Sequence, residues 1–207
     1  MLTTGTEGLL PFTIFALTGA VTPGPNNTIA MLTGAHRGLR RVVPHLLGVP
    51  TGFALMTAIM GTGLGALLLA LPAWSLALQV CGALYLLYMA WRLASSPVHG
   101  GHAAMQFRAL SFPQSVAFQF SNPKAWALSL GTVTAFAAQS SGRLAAVIAI
   151  WSVVNLLSIA LWAAAGQALI GLLSNPLRRR TFNVTTALLL AATAIAGVWS
   201  QLPGTRS

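Results

Sequence analysis

The sequence predicts an all-α, polytopic membrane protein: six transmembrane helices arranged as an inverted 3+3 repeat, with helices 1 and 4 broken at proline motifs. Three observations carry this prediction. Of 207 residues, 56% are hydrophobic and only 6% charged, against about 25% charged in an average soluble domain. Residues 8–36, 42–91, 144–177 and 181–205 carry no charge, and each run exceeds the ~20 apolar residues that cross a bilayer core. Two proline interruptions, "TPGPNN" at 22–27 and "SNPKAW" at 121–126, sit 100 residues apart inside apolar segments.

The first span is read as 9–33, with Pro23 about fourteen residues in. Glu7 stands where a secretory leader would be basic, so cleavage is not expected. The uncharged run 42–91 would reach ~75 Å as one helix, so it divides at "LALPAW" (69–74) into spans 44–70 and 74–93. Glycines 48/52 and 61/65 give the second span GxxxG spacing, which permits close helix packing. The remaining spans are 111–138, 143–172 and 182–202. All belong to a single transmembrane domain, 1–207, with halves 1–95 and 110–207 joined by a cytoplasmic linker, 96–109. Trp74, Trp91, Trp126, Trp151 and Trp199 fall near span ends and read as interfacial anchors.

The net charge of +10 is a topology signal rather than a nucleic-acid footprint. Arg37, Arg40, Arg41, Arg92, Arg108, Arg178, Arg179 and Arg180 fall on one side; only Arg143 and Arg206 fall on the other. Excess basic residues mark the cytoplasmic face. Both termini are therefore expected outside, in a multi-pass protein of the plasma (inner) membrane. Arg40 is a topology anchor or a gate at the cytoplasmic mouth. Cys81 stands alone, and His36, His45, His99 and His102 share no metal-ligand spacing. No cofactor, metal or nucleic acid is expected, and a homo-oligomer is left open.

In a bilayer, irregular backbone survives only inside protein or beside a polar cavity. Thr22-Pro23 and Asn122-Pro123 each pair an N-cap residue with a proline that has no donor to waste at N1. Each break therefore turns the N-terminus of a half-helix, with its free N–H groups and positive dipole end, toward mid-membrane. Paired broken helices in corresponding positions of two halves mark the substrate site of a secondary transporter. The site expected is Thr22, Pro23, Gly24, Pro25, Asn26, Gln119, Asn122, Pro123, Lys124 and Asn155. Ser115, Gln119 and Asn122 share one helical face, and Ser152, Asn155, Ser158 and Trp162 share another. Lys124 at the centre of a span costs ~2.5–3.5 kcal/mol, and Glu7 is the only carboxylate in the chain. A substrate carboxylate is a sensible counter-ion for it, with Gln119 and Asn155 offering acceptors to the substrate's amino group.

"TPGPNN", followed by "GAHRGLR", "GVPTG", "LQVCGALYLLYMAWR" (78–92) and "NPKAW" (122–126), resembles the LysE/RhtB amino-acid exporters over most of the chain. The resemblance implies six helices and efflux of amino acids or related metabolites, driven by the proton gradient. Two positions depart from the family pattern. Arg41 follows Gly38-Leu39-Arg40, and Asn155 stands where many relatives carry an acidic residue. A proton carried by this protein would have to use Lys124, His45 or a tyrosine, and Lys124 is the first choice.

An inorganic-ion or metal exporter of a related fold is the nearest alternative, but the sequence offers no cluster of the ligands transition metals demand. A membrane enzyme is not expected, since no dithiol pair, HExxH or Ser-His-Asp set is visible. A purely structural membrane subunit would not need two breaks at mid-depth. The topology is testable: cysteines introduced near 101 and 204 should be labelled from the cytoplasm and from outside respectively. The reverse pattern would refute it.

Overall fold

The computed structural model describes residues 8–63, 72–96, 109–137, 141–169, 171 and 175–199. Among these the chain is helical with no strand. The helices are α1 (Leu9–Val21), α2 (Pro25–Arg37), α3 (Val43–Gly61), α4 (Pro72–Ala94), α5 (Phe112–Phe120), α6 (Pro123–Thr132), α7 (Ser141–Ala168) and α8 (Pro176–Trp199). A 3-10 turn (Leu39–Arg41) leads into α3, and a π turn (Val133–Ala137) continues α6.

Both proline motifs break the chain, but the first restarts two residues later than expected. Thr22 closes α1, and Gly24 and Pro25, not Thr22 and Pro23, stand at the N-cap and first turn of α2, with no side chain capping it. α1 ends at Val21 and α2 restarts with Pro25 in its first turn. α5 ends at Phe120 and α6 restarts at Pro123, capped by the Asn122 side chain, which accepts from the Lys124 N–H at 3.1 Å. The start of α5 carries a reciprocal capping box between Ser111 and Gln114. Four expected boundaries move by four residues or more: α2 runs past residue 33 to Arg37, α3 ends at Gly61 rather than 70, α7 ends at Ala168 rather than 172, and α8 starts at Pro176 rather than 182. Arginines do not end a helix; the Asn175 side chain opens α8 by accepting from the N–H groups of Leu177 and Arg178.

Each broken helix lies beside a continuous one and runs in its direction. Along α7, Trp151 meets Phe12 and Phe15, Ser158 meets Ala20 and Asn27, and Gly166 meets Met31. Along α3, Gly48 meets Phe112 and Ser115, Gly52 meets Val116 and Gln119, and Thr57 meets Ser129. The broken pairs themselves run antiparallel. Phe12 touches Phe136, Gly19 faces Leu128, Gly24 faces Lys124, and Asn26 bonds Gln119. They therefore pass each other at their breaks. α4 and α8 pack together at one side, around Leu86, Met89, Leu93 and Leu190.

Glycine is what allows these approaches. A Cβ on Gly166 would overlap the main-chain carbonyl of Met31, one on Gly34 that of Ala163, and one on Gly82 that of Ser121. Small residues let backbones approach closely in membranes, where the hydrophobic effect does not drive helices together. Gly48 and Gly52 seat α5 against α3 in the same way, whereas Gly65 lies outside the described residues.

The tryptophans divide. Trp91 and Trp199 are exposed, but Trp151 is 1% exposed and not an interfacial anchor. Its ring packs with Phe12, Phe15 and Phe53, and its indole N–H donates to the Thr132 hydroxyl at 2.7 Å. Trp126 is half-buried and donates to the Phe120 carbonyl at the end of α5, at 2.8 Å. Both indoles belong to the interior because a buried N–H has a partner there. Trp74 has no described side chain.

Gly166→Ala should separate α2 from α7 and cost about 1–3 kcal/mol by overpacking. Its thermal midpoint in detergent should fall below that of Gly142→Ala, whose added methyl meets nothing within 4 Å.

Candidate functional site

The breaks leave main-chain groups that the structure satisfies unevenly. The carbonyls at the end of α1 are well partnered. Ala20 O accepts from the Asn27 amide at 2.7 Å and the Ser158 hydroxyl at 2.8 Å. Val21 O accepts from the Trp162 indole at 3.2 Å. Thr22 O accepts from the Asn27 amide at 3.0 Å and from the Lys124 ammonium at 2.6 Å. Donors from α2, α6 and α7 thus converge on the negative end of α1.

The N-terminus of α2 is different. No side chain caps it, and Gly24 precedes it in extended backbone. Pro25 has no N–H, and the N–H groups of Asn26 and Asn27 come before the first intrahelical bond, Thr28 N–H to Gly24 O at 2.9 Å. The opposing N-terminus of α6 is closed in part by Asn122. Of the two half-helix ends, α2 offers the more open donors.

Beside this end lies a cavity enclosing about 340 Å³ of empty space, its open mouth included. It is lined from α1 and α2 by Gly19, Ala20, Gly24, Pro25, Asn26 and Asn27, and from α6 by Asn122, Lys124, Ala125 and Leu128. Phe53 of α3 and Asn155 of α7 complete it. A larger groove, about 1070 Å³, lies between α4 and α5, but it holds neither helix break nor Lys124.

Six of the expected site residues line this cavity: Gly24, Pro25, Asn26, Asn122, Lys124 and Asn155. Thr22, Pro23 and Pro123 form the breaks behind them without lining it. Gln119 is fully buried behind Asn26. Its amide is engaged at both ends: Oε1 accepts from Asn26 at 2.8 Å, and Nε2 donates to Ser115 O at 2.8 Å. It therefore cannot offer the substrate an acceptor as expected, because burial forces a side-chain amide to use up its capacity on neighbours. Asn155 lines the cavity, and its Nδ2 is buried without a hydrogen-bond partner. Arg40 lies exposed in the 3-10 turn, away from the cavity lining.

Phe53, Gly19 and Leu128 were not expected here. Nothing in the sequence distinguishes them from packing residues, and only the antiparallel passage of the two broken helices brings them together. Asn27, read only as the polar residue after the first break, ties α2 back to α1.

The cavity collects donors: the Lys124 ammonium, the Asn155 amide and the open end of α2. Such a set holds an anionic group, as helix N-termini do generally. Among the described residues no group of three or more His, Cys, Asp or Glu could hold a metal ion. Two continuous stretches, Leu39–Gly61 and Gly142–Ala168, are long and apolar enough to cross a membrane.

The chain is 29% identical over 193 residues to the cysteine/O-acetylserine efflux proteins of Escherichia coli strain K12, Shigella sonnei strain Ss046 and Shigella flexneri serotype 5b. In each case the match covers 90% of this chain and 95% of the relative. No solved structure matches it. The LysE type translocator model matches residues 17–199, nearly the whole described helical bundle including both breaks and the cavity between them. The chain therefore belongs to the LysE type translocator family, whose members are membrane transporters and not enzymes.

Proposed function

We propose that the protein exports a small amino acid or a related metabolite from the cytoplasm, and that the cavity between the two breaks is its binding site. The observation that carries this reading is the meeting of Lys124, the Asn155 donor and the uncapped start of α2 around one small cavity. A substrate carboxylate supplies an acceptor to the Asn155 amide and the start of α2, and a stronger one than the Thr22 carbonyl to Lys124. The substrate's ammonium group is drawn to the carbonyl end of α1, where Lys124 already donates to Thr22 O. The two ends of a zwitterion thus match the two half-helix ends at one break. The relatives, cysteine/O-acetylserine efflux proteins, favour cysteine or O-acetylserine as the substrate.

The reading includes six spans in an inverted 3+3 repeat, both termini outside, in the inner membrane. What supports it is the reciprocal pairing described above: each broken helix beside a continuous one, and the two broken helices antiparallel. Export is proposed to be coupled to proton entry. Without substrate, Lys124 rests on the Thr22 carbonyl; with substrate, it turns to the carboxylate.

Efflux of preloaded cysteine and O-acetylserine from cells with and without the protein tests the substrate. Equal efflux in both would refute it. Lys124→Ala removes a charge-assisted contact of ~1.5–3 kcal/mol, and so should weaken substrate affinity roughly ten- to a hundredfold without loss of protein from the membrane. Asn122→Ala loses the cap of α6, ~1 kcal/mol, and should also lower export. Asn155→Leu removes the unpartnered amide from the cavity wall and should weaken export, whereas wild-type transport by that variant would place the substrate elsewhere.

A further inference from the structure

His45 is an ionisable side chain inside the bundle that the binding site does not use. It sits near the start of α3 and is 1% exposed. Its Nε2 lies 3.1 Å from the main-chain carbonyl of Asn26, on α2, and its Nδ1 2.9 Å from the hydroxyl of Ser115, on α5. A carbonyl only accepts, so Nε2 carries the hydrogen. In the neutral ring Nδ1 then keeps its lone pair, and the Ser115 hydroxyl donates to it.

These contacts close a ring of hydrogen bonds. Ser115 O accepts from Gln119 Nε2 at 2.8 Å. Gln119 and Asn26 exchange two amide bonds, at 2.8 and 3.3 Å. Asn26 returns to His45 through its carbonyl and also lines the substrate cavity. Three elements, α2, α3 and α5, are thus clamped together by four residues.

We propose that His45 is the residue that takes up and releases the coupling proton, and that it reports its state to the cavity through this ring. The proposal rests on the proton-coupled export reading above and moves the proton from Lys124 to His45. In the uptake step the Nδ1 lone pair bonds a proton delivered by hydronium, leaving water and an imidazolium. The Ser115 hydroxyl can then no longer donate to Nδ1; it accepts from it and turns its own hydrogen elsewhere. The Ser111 carbonyl, one turn back on α5, is the nearest main-chain acceptor by helical spacing. In the release step water takes the same proton and the hydroxyl turns back. One proton enters the ring and one leaves it.

Protonation therefore changes both ends of the clamp at once. The bond to Asn26 O becomes charge-assisted and the bond to Ser115 reverses direction. Asn26 is at once a clamp residue and a cavity residue, so substrate occupancy and His45 protonation act on the same side chain. Lys124 is less suited to carry the proton, since its ammonium charge is what holds the carboxylate.

No charged side chain forms part of the ring. On the elements packed around α3, Lys124 of α6 is held at Thr22, and Arg143 of α7 lies against Gly8. Arg40 and Arg41 are exposed in the 3-10 turn. His36 and Arg37 stand at the far end of α2. There burial, then the charges of Arg179 and Arg37, hold His36 below its usual range.

The test uses the purified full-length protein in proteoliposomes with labelled cysteine as the probe. Exchange across the membrane without a gradient and uphill accumulation driven by a pH gradient are both measured. His45→Gln preserves a donor toward Asn26 and an acceptor toward Ser115 but cannot titrate. It should exchange cysteine as wild type does, with the gradient-driven accumulation ratio reduced to near unity and the pH dependence of exchange flattened. Uphill accumulation at the wild-type level by this variant would overturn the assignment. So would loss of exchange together with accumulation in a variant that reconstitutes normally, since the ring would then be only a brace. If His45→Gln does not reconstitute, Ser115→Ala serves. It removes the hydroxyl that must turn and should displace the pH profile of transport; an unchanged profile would overturn the proposal. Wild-type exchange that ignores the pH gradient would instead refute proton coupling itself, and this assignment with it.

Discussion

The structure depends on one constraint: main-chain groups freed by a proline break have no water to bond inside a bilayer. Two such breaks, at 22–24 and 121–122, force the surrounding protein to supply partners. At the end of α1 that demand is met from three directions, by Asn27, by Ser158 and Trp162 of α7, and by Lys124. At the start of α2 it is left open beside the cavity. The positions of α1, α2, α6 and α7 relative to each other follow from this division. The open half of it is where a ligand can bind.

A second constraint follows from the charges. Lys124 sits among helices with one carboxylate in the whole chain, Glu7, far from it in sequence. It is not left bare. The carbonyl end of α1 serves as its counter-charge, a helix dipole doing the work of an aspartate. That arrangement suits a transporter better than a permanent ion pair would. A salt bridge in low dielectric is hard to break, whereas an ammonium on a main-chain carbonyl can be exchanged for a stronger acceptor.

Around the breaks, packing is divided by residue size. On one side of the cavity Phe12, Phe15, Phe53, Phe136 and Trp151 form an aromatic layer that closes α1, α3, α7 and the π turn together. Below it, Gly34 and Gly166 bring α2 and α7 into backbone contact, and Gly48 and Gly52 do the same for α3 and α5. Large rings fill volume and fix distance; glycines remove volume and allow approach. The polar ring of His45, Ser115, Gln119 and Asn26 lies where glycine has already brought α3 and α5 close.

Composition and local pattern determined the helical membrane class, the two places where helices break, and the cap that Asn122 gives the second restart. These are local properties: a proline lacks its N–H whatever surrounds it, and Asn before Pro starts a helix by its own geometry. The same locality explains the misreadings. Residue type and helical phase place Trp151 and Gln119 on a face, but phase does not say what stands opposite. The tertiary structure decided that Trp151 is interior and that Gln119 is spent on Asn26 and Ser115. It also shows which half-helix end stays open, because Asn122 reaches its own helix while no side chain caps the start of α2. Hydrogen-bond capacity is inherited from the sequence, but its allocation is a property of the contacts, and those exist only once the helices have packed.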